Sequence, residues 1–251
     1  MSEAARREDT SLALTPYLIL GFVALVLALL ARAPASLLQK ALPAALPVQV
    51  SAWGGTLWSG QAELVQAGEP GFWRWQLQPA GLLRGRLALQ VQAQGPLSMR
   101  GSVERGFGGW AARGLSGELP ARLLQPLLPP GWTLPGDIRL DGVQLARKGL
   151  ALGPWQAAGG QLHWGGGAMQ YSLGSQAQGA TLPPLLATLR LEGDTLLLSM
   201  TEASGGALAD VRIAKDGGVE TRLRERLLKY SNRTSGADPD AVVVTSVQRP
   251  Q

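Results

Sequence analysis

Any chemistry in this chain would have to be built without thiols and around one imidazole. The sequence holds no cysteine and a single histidine, His163. Disulfides, thiolate metal sites and cysteine nucleophiles are thereby excluded, and no second imidazole exists to complete a zinc site. His163 lies between Leu162 and Trp164 in an alternating stretch, where it reads as a polar-face strand residue. A Ser-His-Asp triad would have to use it, and no Gly-x-Ser-x-Gly elbow accompanies it. Gly106-Phe107-Gly108-Gly109-Trp110-Ala111 fits the relaxed dinucleotide pattern G-x-G-x-x-A. No helix-forming run follows it and no acidic residue stands about twenty positions on, so it reads as a glycine-rich turn. Asp137, Asp141, Glu192 and Asp194 each adjoin a glycine, a placement that suits turn capping rather than acid–base work. The 8 tryptophans read as strand packing rather than as a sugar or lipid platform. These residues predict a non-enzyme with no catalytic residue, no metal site and no cofactor.

Composition points to the scaffold instead. A chain of 251 residues is long enough for one large all-β domain or two small ones. Hydrophobic residues make up 45% and charged residues 16%, which excludes a disordered polyelectrolyte. With 33 glycines and 17 prolines, many short strands joined by tight turns fit better than long helices. The net charge of +5 comes with scattered arginines, and no basic block is interleaved with aromatics, so nucleic-acid binding is not expected.

One segment is set apart by its lack of charge. Between Asp9 and Arg32 the stretch Thr10–Ala31 carries none. Tyr17, Leu18, Ile19, Leu20, Phe22, Val23, Leu25, Val26 and Leu27 form its apolar body. At 1.5 Å per residue it would span a bilayer core of about 30 Å. Pro16 would fall in the first turns and Tyr17 at a membrane interface. Ala31-Arg32-Ala33 resembles a signal-peptidase site, but Pro34 would follow the cut and the apolar stretch exceeds a signal core. A retained transmembrane anchor over 10–31 is therefore expected. Arg6 and Arg7 before it balance Arg32 and Lys40 after it, so charge alone does not orient it.

After residue 47 the periodicity becomes two. Trp73–Gln78 and Arg86–Gln94 alternate apolar and polar side chains, as a half-buried antiparallel sheet requires. Ile138 and Leu140 share one parity and Val143 and Leu145 the other, which predicts a bulge at Gly142. Hairpins are expected at Gly165-Gly166-Gly167 between Leu162-His163-Trp164 and Met169-Gln170-Tyr171, at Gly193-Asp194, and at Asp216-Gly217. Residues 33–47 read as a short juxtamembrane helix capped by Ser36 and ended by Pro43. Residues 119–136 read as one helical turn and a proline-stiffened crossover. Gly55–Gly60 and Gly160–Gly165 are loosely alike, each a short strand with a tryptophan near its end, which leaves a two-fold repeat open. Val219–Tyr230 suits both a helix and a strand. The expected organisation is a leader over 1–9, the membrane helix over 10–31, a linker over 32–47, a β domain over 48–230 and a flexible tail over 231–251. The fold class is all-β, with a curved, mostly antiparallel, half-barrel-like sheet.

Gly55-Thr56-Leu57-Trp58-Ser59-Gly60-Gln61-Ala62, followed by Trp75-Gln76-Leu77-Gln78-Pro79 and Leu82-Leu83-Arg84-Gly85-Arg86-Leu87, resembles the general secretion pathway protein N family of bacterial type II secretion systems. Gly160 to Trp164 fits that family's central Gly-x-Leu-x-Trp. The resemblance spans most of residues 12–225. It implies a single-pass inner-membrane protein with a cytoplasmic N-terminus and a periplasmic β domain. It further implies an accessory role in exporting folded proteins. The implied partners are other inner-membrane secretion components and the outer-membrane channel, with membrane lipid around the anchor. The family is similar, distantly, to AsmA-like proteins, whose sheets handle lipid, so a lipid-binding module stands as the second reading. A long apolar stripe would favour lipid, and a filled sheet with a polar rim would favour assembly. Gly55, Thr56, Leu57, Trp58, Ser59, Gly60 and Trp75 are the expected structural or interaction residues.

Overall fold

The computed structural model describes residues 11–37, 49–66, 69–122, 133–149, 153–173, 176–230 and 236–248. Helix α1 (Ser11–Ala31) precedes strands β1 (Gln49–Gly55), β2 (Ser59–Gln66) and β3 (Glu69–Gln78). The one-turn helix α2 (Pro79–Leu82) leads to β4 (Arg86–Gln94), β5 (Ser98–Gly106), β6 (Gly109–Pro120), β7 (Asp137–Lys148) and β8 (Trp155–Trp164). Then come β9 (Gly167–Leu173), β10 (Gln176–Leu182), β11 (Leu185–Glu192), β12 (Thr195–Glu202), β13 (Ala207–Ile213) and β14 (Val219–Arg224). Helix α3 (Glu225–Lys229) and strand β15 (Val242–Gln248) complete the order. Apart from β9 and β10, the strands form one 13-stranded antiparallel sheet in sequence order. It is not closed, and β1 and β15 are its edges.

Helix α1 is 21 residues long without a charged side chain. Among the described residues no helix is long and apolar enough to cross a membrane. The described α1 side chains from Tyr17 to Val26 are exposed throughout. Of the juxtamembrane helix expected over 33–47, a 3₁₀ turn at 35–37 is present, and 38–47 lie outside the described residues.

Alternation and turn chemistry place most strands correctly. Glu192 pairs with Thr195 across Gly193-Asp194, and Ile213 with Val219 across Asp216-Gly217. At Gly142 (φ +57°) the ladder slips on both sides of β7, and the Gly142 N–H donates to Ser116 Oγ at 3.0 Å. The bulge absorbs the change of parity, so Ile138, Leu140, Val143 and Leu145 all remain within the packed face.

Three expectations are corrected. Strand β8 does not form a hairpin with β9: it pairs with β7 and β11, while β9 pairs with β10 in a separate two-stranded sheet. Pro183-Pro184, which cannot donate to a ladder, closes this excursion, and β11 returns to the edge of β8. Gly55–Gly60 forms a turn whereas Gly160–Trp164 is strand, so the two segments are not equivalent. The tail contains β15, where Val244 pairs with Leu223: the β-branched run Val242-Val243-Val244 satisfies the open edge of β14. Val219–Tyr230 resolves into strand β14 followed by α3, and 123–132 of the expected crossover lie outside the described residues.

Two buried clusters hold the sheet. Ala121, Ile138, Trp164 and Leu182 pack with Leu134, Leu162, Met169, Leu185, Leu227 and Tyr230, and the Trp164 indole N–H donates to the Pro135 carbonyl at 2.7 Å. The other cluster gathers Ala35, Ala62 and Trp75. On the opposite face, Asp210 accepts from the Ser199 hydroxyl at 2.8 Å and from Arg224 Nη2 at 2.9 Å. Burial alone would raise the Asp210 pKa, but these two bonds and the charges of Arg224 and Arg190 outweigh it and hold the carboxyl below its ordinary 3.8. A carboxyl depressed on folding contributes stability above its unfolded pKa and loses it as pH falls through the folded value. Asp210→Asn is therefore expected to cost about 1 kcal/mol at neutral pH and to flatten the loss of stability below pH about 4. Denaturant melts across that range check this, and equal slopes for variant and wild type would contradict it.

Candidate functional site

The residues singled out by sequence converge on the turn between β1 and β2. Gly55 (φ +87°) opens it in a conformation that a side chain would strain, with an added Cβ 2.6 Å from the Ser59 carbonyl. The Thr56 N–H donates to the Ser59 carbonyl at 2.9 Å, and the Thr56 hydroxyl accepts the Ser59 N–H at 3.2 Å. Leu57 works through its backbone. Its N–H donates to the Ala33 carbonyl at 2.8 Å, and its carbonyl accepts the Trp75 indole N–H at 3.2 Å. The Trp58 carbonyl accepts the Leu77 N–H at 2.6 Å. Gly60 lies under the Trp75 ring, and a Cβ there would collide with the indole and with the Gly54 carbonyl. The six-residue segment thus interlocks three pieces of chain: the residues after α1, the first hairpin and the end of β3.

Trp75, only 8% exposed, is the centre of this joint. Its ring meets Trp53 edge to face at 5.8 Å between centroids, and Ala35, 1% exposed, packs against it and Ala62. Pro34 forms an isolated antiparallel bridge with Thr56. The chain therefore docks on the sheet within four residues of the end of α1. Trp58, expected within a short strand, lies half-buried in the turn, and the buried indole of the set is Trp75.

The two faces of the sheet differ in chemistry. Directly paired residues in antiparallel strands project to the same face. One such row runs Trp53, Ala62, Trp73, Ala93, Met99 and Gly117 across β1–β6. It continues through Leu140, Leu162, Ala187, Met200, Ala209, Leu223 and Val244 to β15. No member is polar, and Trp53, Trp73, Met99, Leu140, Leu162 and Met200 are half-buried rather than covered. The sequence shows the alternation strand by strand, but only the register reveals that the rows join. On the opposite face, Gln61, Arg74, Gln92, Arg100 and Ser116 form the matching polar row. A hollow of about 910 Å³ lies over it, with Gly54, Gly55, Ser59 and Gly60 at one end. His163 is exposed on β8, paired with Arg139 and Leu186. Among the described residues no group of three His, Cys, Asp or Glu side chains is placed to hold a metal ion. Glu192 bridges Arg190 and Arg212, and Asp194 meets Lys215, so these carboxylates serve as surface ion pairs.

A family model of type II secretion system protein N matches residues 47–231. The chain belongs to that family, a component of secretion machinery rather than an enzyme family. The match takes in β1 to β14 and α3, with the interlocked turn near its start, and stops before β15. No curated protein and no solved structure matches the chain.

Gly60→Ala is expected to destabilise the domain by about 1–3 kcal/mol, because the added methyl displaces the Trp75 ring. Gly165→Ala, where a Cβ meets nothing within 4 Å, is expected to stay within about 0.5 kcal/mol of wild type. Thermal or urea melts of the pair test the joint, and equal melting would contradict it.

Proposed function

We propose that this chain is a single-pass inner-membrane accessory subunit of the type II secretion system, with α1 as its retained anchor, its N-terminus in the cytoplasm and its sheet in the periplasm. It supports export of folded proteins by holding protein partners, not by catalysis. Family membership supports the secretion role. The observation that carries the anchored reading is the docking of Ala33, Pro34 and Ala35 on the β1–β2 turn directly after α1. A flexible tether would let the sheet wander, whereas this one fixes it against the end of the helix, as a platform subunit presenting surfaces to neighbours requires. The finer assignments of partner (other inner-membrane components and the outer-membrane channel) and of the domain limits 1–9, 10–31, 32–47 and 48–230 belong to this proposal.

The unbroken apolar row favours a second reading, a periplasmic lipid-binding or lipid-transfer module of AsmA-like type. A half-buried stripe crossing every strand of the main sheet offers acyl chains a continuous surface. Deleting the gene is expected to reduce export of folded proteins from periplasm to medium while wild-type lipid distribution persists. Normal export with reproducible lipid capture along Trp73, Leu140 and Met200 in crosslinking would replace the first reading with the second. A mature N-terminus at Ala33, Pro34 or Ser36 by mass spectrometry would remove the anchor.

A further inference from the structure

The polar face of β1–β6 carries cations that the sheet itself does not use. Elsewhere on this face several arginines have carboxylate partners, while Arg86, at the far end of β4, has none among the described residues. Arg139 meets Glu118 at 3.3 Å, Arg222 meets Glu220 at 2.7 Å, and Arg224 meets Asp210 at 2.9 Å. In the hollow, Arg74 and Arg100 stand in one row with no carboxylate within ion-pair distance among the described residues, and no acidic side chain lines the space. Arg113, in the next row opposite Ser102, reaches Glu104 at 3.5 Å with 57% of its side chain exposed, a pair of little strength. Gln61, Gln76 and Gln92 complete the floor with amide donors. Three guanidinium forks and a bed of carboxamides form a surface that gains most from carboxylates.

We infer that this hollow binds an extended acidic peptide segment of a partner protein. It runs from β1 to β6, five strand spacings or about 24 Å, which matches about seven residues of extended chain at about 3.4 Å each. Arg74 and Arg100 are two strands apart, about 10 Å, so carboxylates two residues apart, about 7 Å and on the same side of such a segment, reach both through the long guanidinium arms. Acyl chains gain little from a lining in which Trp75 and Val91 are the apolar side chains among guanidinium, carboxamide and hydroxyl groups. A bilayer surface is flat and meets the rim rather than the floor. A second copy of this chain, at net charge +5, offers no run of three adjacent acidic residues. The inference deepens the secretion-subunit reading by naming the chemistry of a partner segment at this face.

The test uses the full chain in an uncharged detergent with fluorescein-labelled octaglutamate, followed by anisotropy at low and moderate salt. Binding that weakens with salt is expected, together with a loss of about tenfold or more in Arg74→Gln/Arg100→Gln, since two charge-assisted bonds are removed. Arg190→Gln/Arg212→Gln, on the same face but ion-paired to Glu192, is expected to bind within about twofold of wild type. Octalysine is expected not to bind. Unchanged melting of both double variants guards against misfolding. Equal octaglutamate binding by Arg74→Gln/Arg100→Gln, or no octaglutamate binding by wild type, overturns the inference. Binding to phosphatidylglycerol vesicles, or self-association, that needs Arg74 and Arg100 while octaglutamate fails reassigns the hollow and overturns it equally. Failure here leaves the export phenotype of the deletion unaffected, so the inference and the secretion reading fail separately.

Discussion

The indole of Trp75 is the contact on which the first half of the sheet depends. Its N–H satisfies the Leu57 carbonyl, its face covers Gly60, its edge meets Trp53, and Ala35 closes over it. Burial of a tryptophan contributes several kcal/mol when the site cannot collapse around a smaller residue. Around the cluster the tight-turn backbone, Ala35, Ala62 and the side chains of Val50, Trp53, Leu64, Leu89 and Val91 are held by the sheet and the turn, so little of the space would be refilled. The same ring therefore stabilises the hairpin, fixes the turn that ends it, and seats the chain arriving from α1. Remove the indole and the linker loses its socket, while Leu57 loses the donor that faces its carbonyl.

Everything beyond this joint follows from period-two alternation carried through an open antiparallel sheet. Because each strand pairs with its sequence neighbour except where β9 and β10 leave the sheet, local alternation adds up to faces of uniform character. The bulges in β6 and β7 preserve that sorting where the sequence changes parity. The result is one face with an apolar row from Trp53 to Val244 and another with arginines, some paired and some not. The two faces of the sheet therefore offer chemically distinct surfaces, one apolar and one basic.

Much of this was legible in the residues. Trp73–Gln78 and Arg86–Gln94 alternate cleanly because they lie mid-sheet, where one side packs and the other is solvated. Gly142 announced its bulge through the parity of Ile138, Leu140, Val143 and Leu145, and glycine–aspartate turns located two hairpins. The glycine run at 165–167 misled, because turn chemistry specifies a reversal but not which strand the chain pairs with afterward. Pairing of β8 with β11 is a non-local choice closed by Pro183-Pro184. Strand β15 was hidden by its polar surroundings, since an edge strand needs only one neighbour and leaves Val242, Val244 and Val247 exposed. The Gly55–Gly60 segment was identified as distinctive, yet its meaning rested on backbone groups of Leu57 and on a partner at Trp75 that spacing alone cannot reveal. The hollow was invisible for a related reason: Arg74 and Arg100 are far apart in sequence and meet only through register.

A rigid joint between α1 and the sheet at this turn is directly measurable. The absence of cysteine allows two introduced ones, Arg32→Cys and Gln90→Cys, to carry spin labels without background, and double electron–electron resonance in nanodiscs reads the distance between them. A single narrow distribution is expected in this doubly labelled chain, broadening when Ala35→Glu forces the linker out of its socket. A broad distribution before that change, or a narrow one that survives it, would contradict the rigid joint.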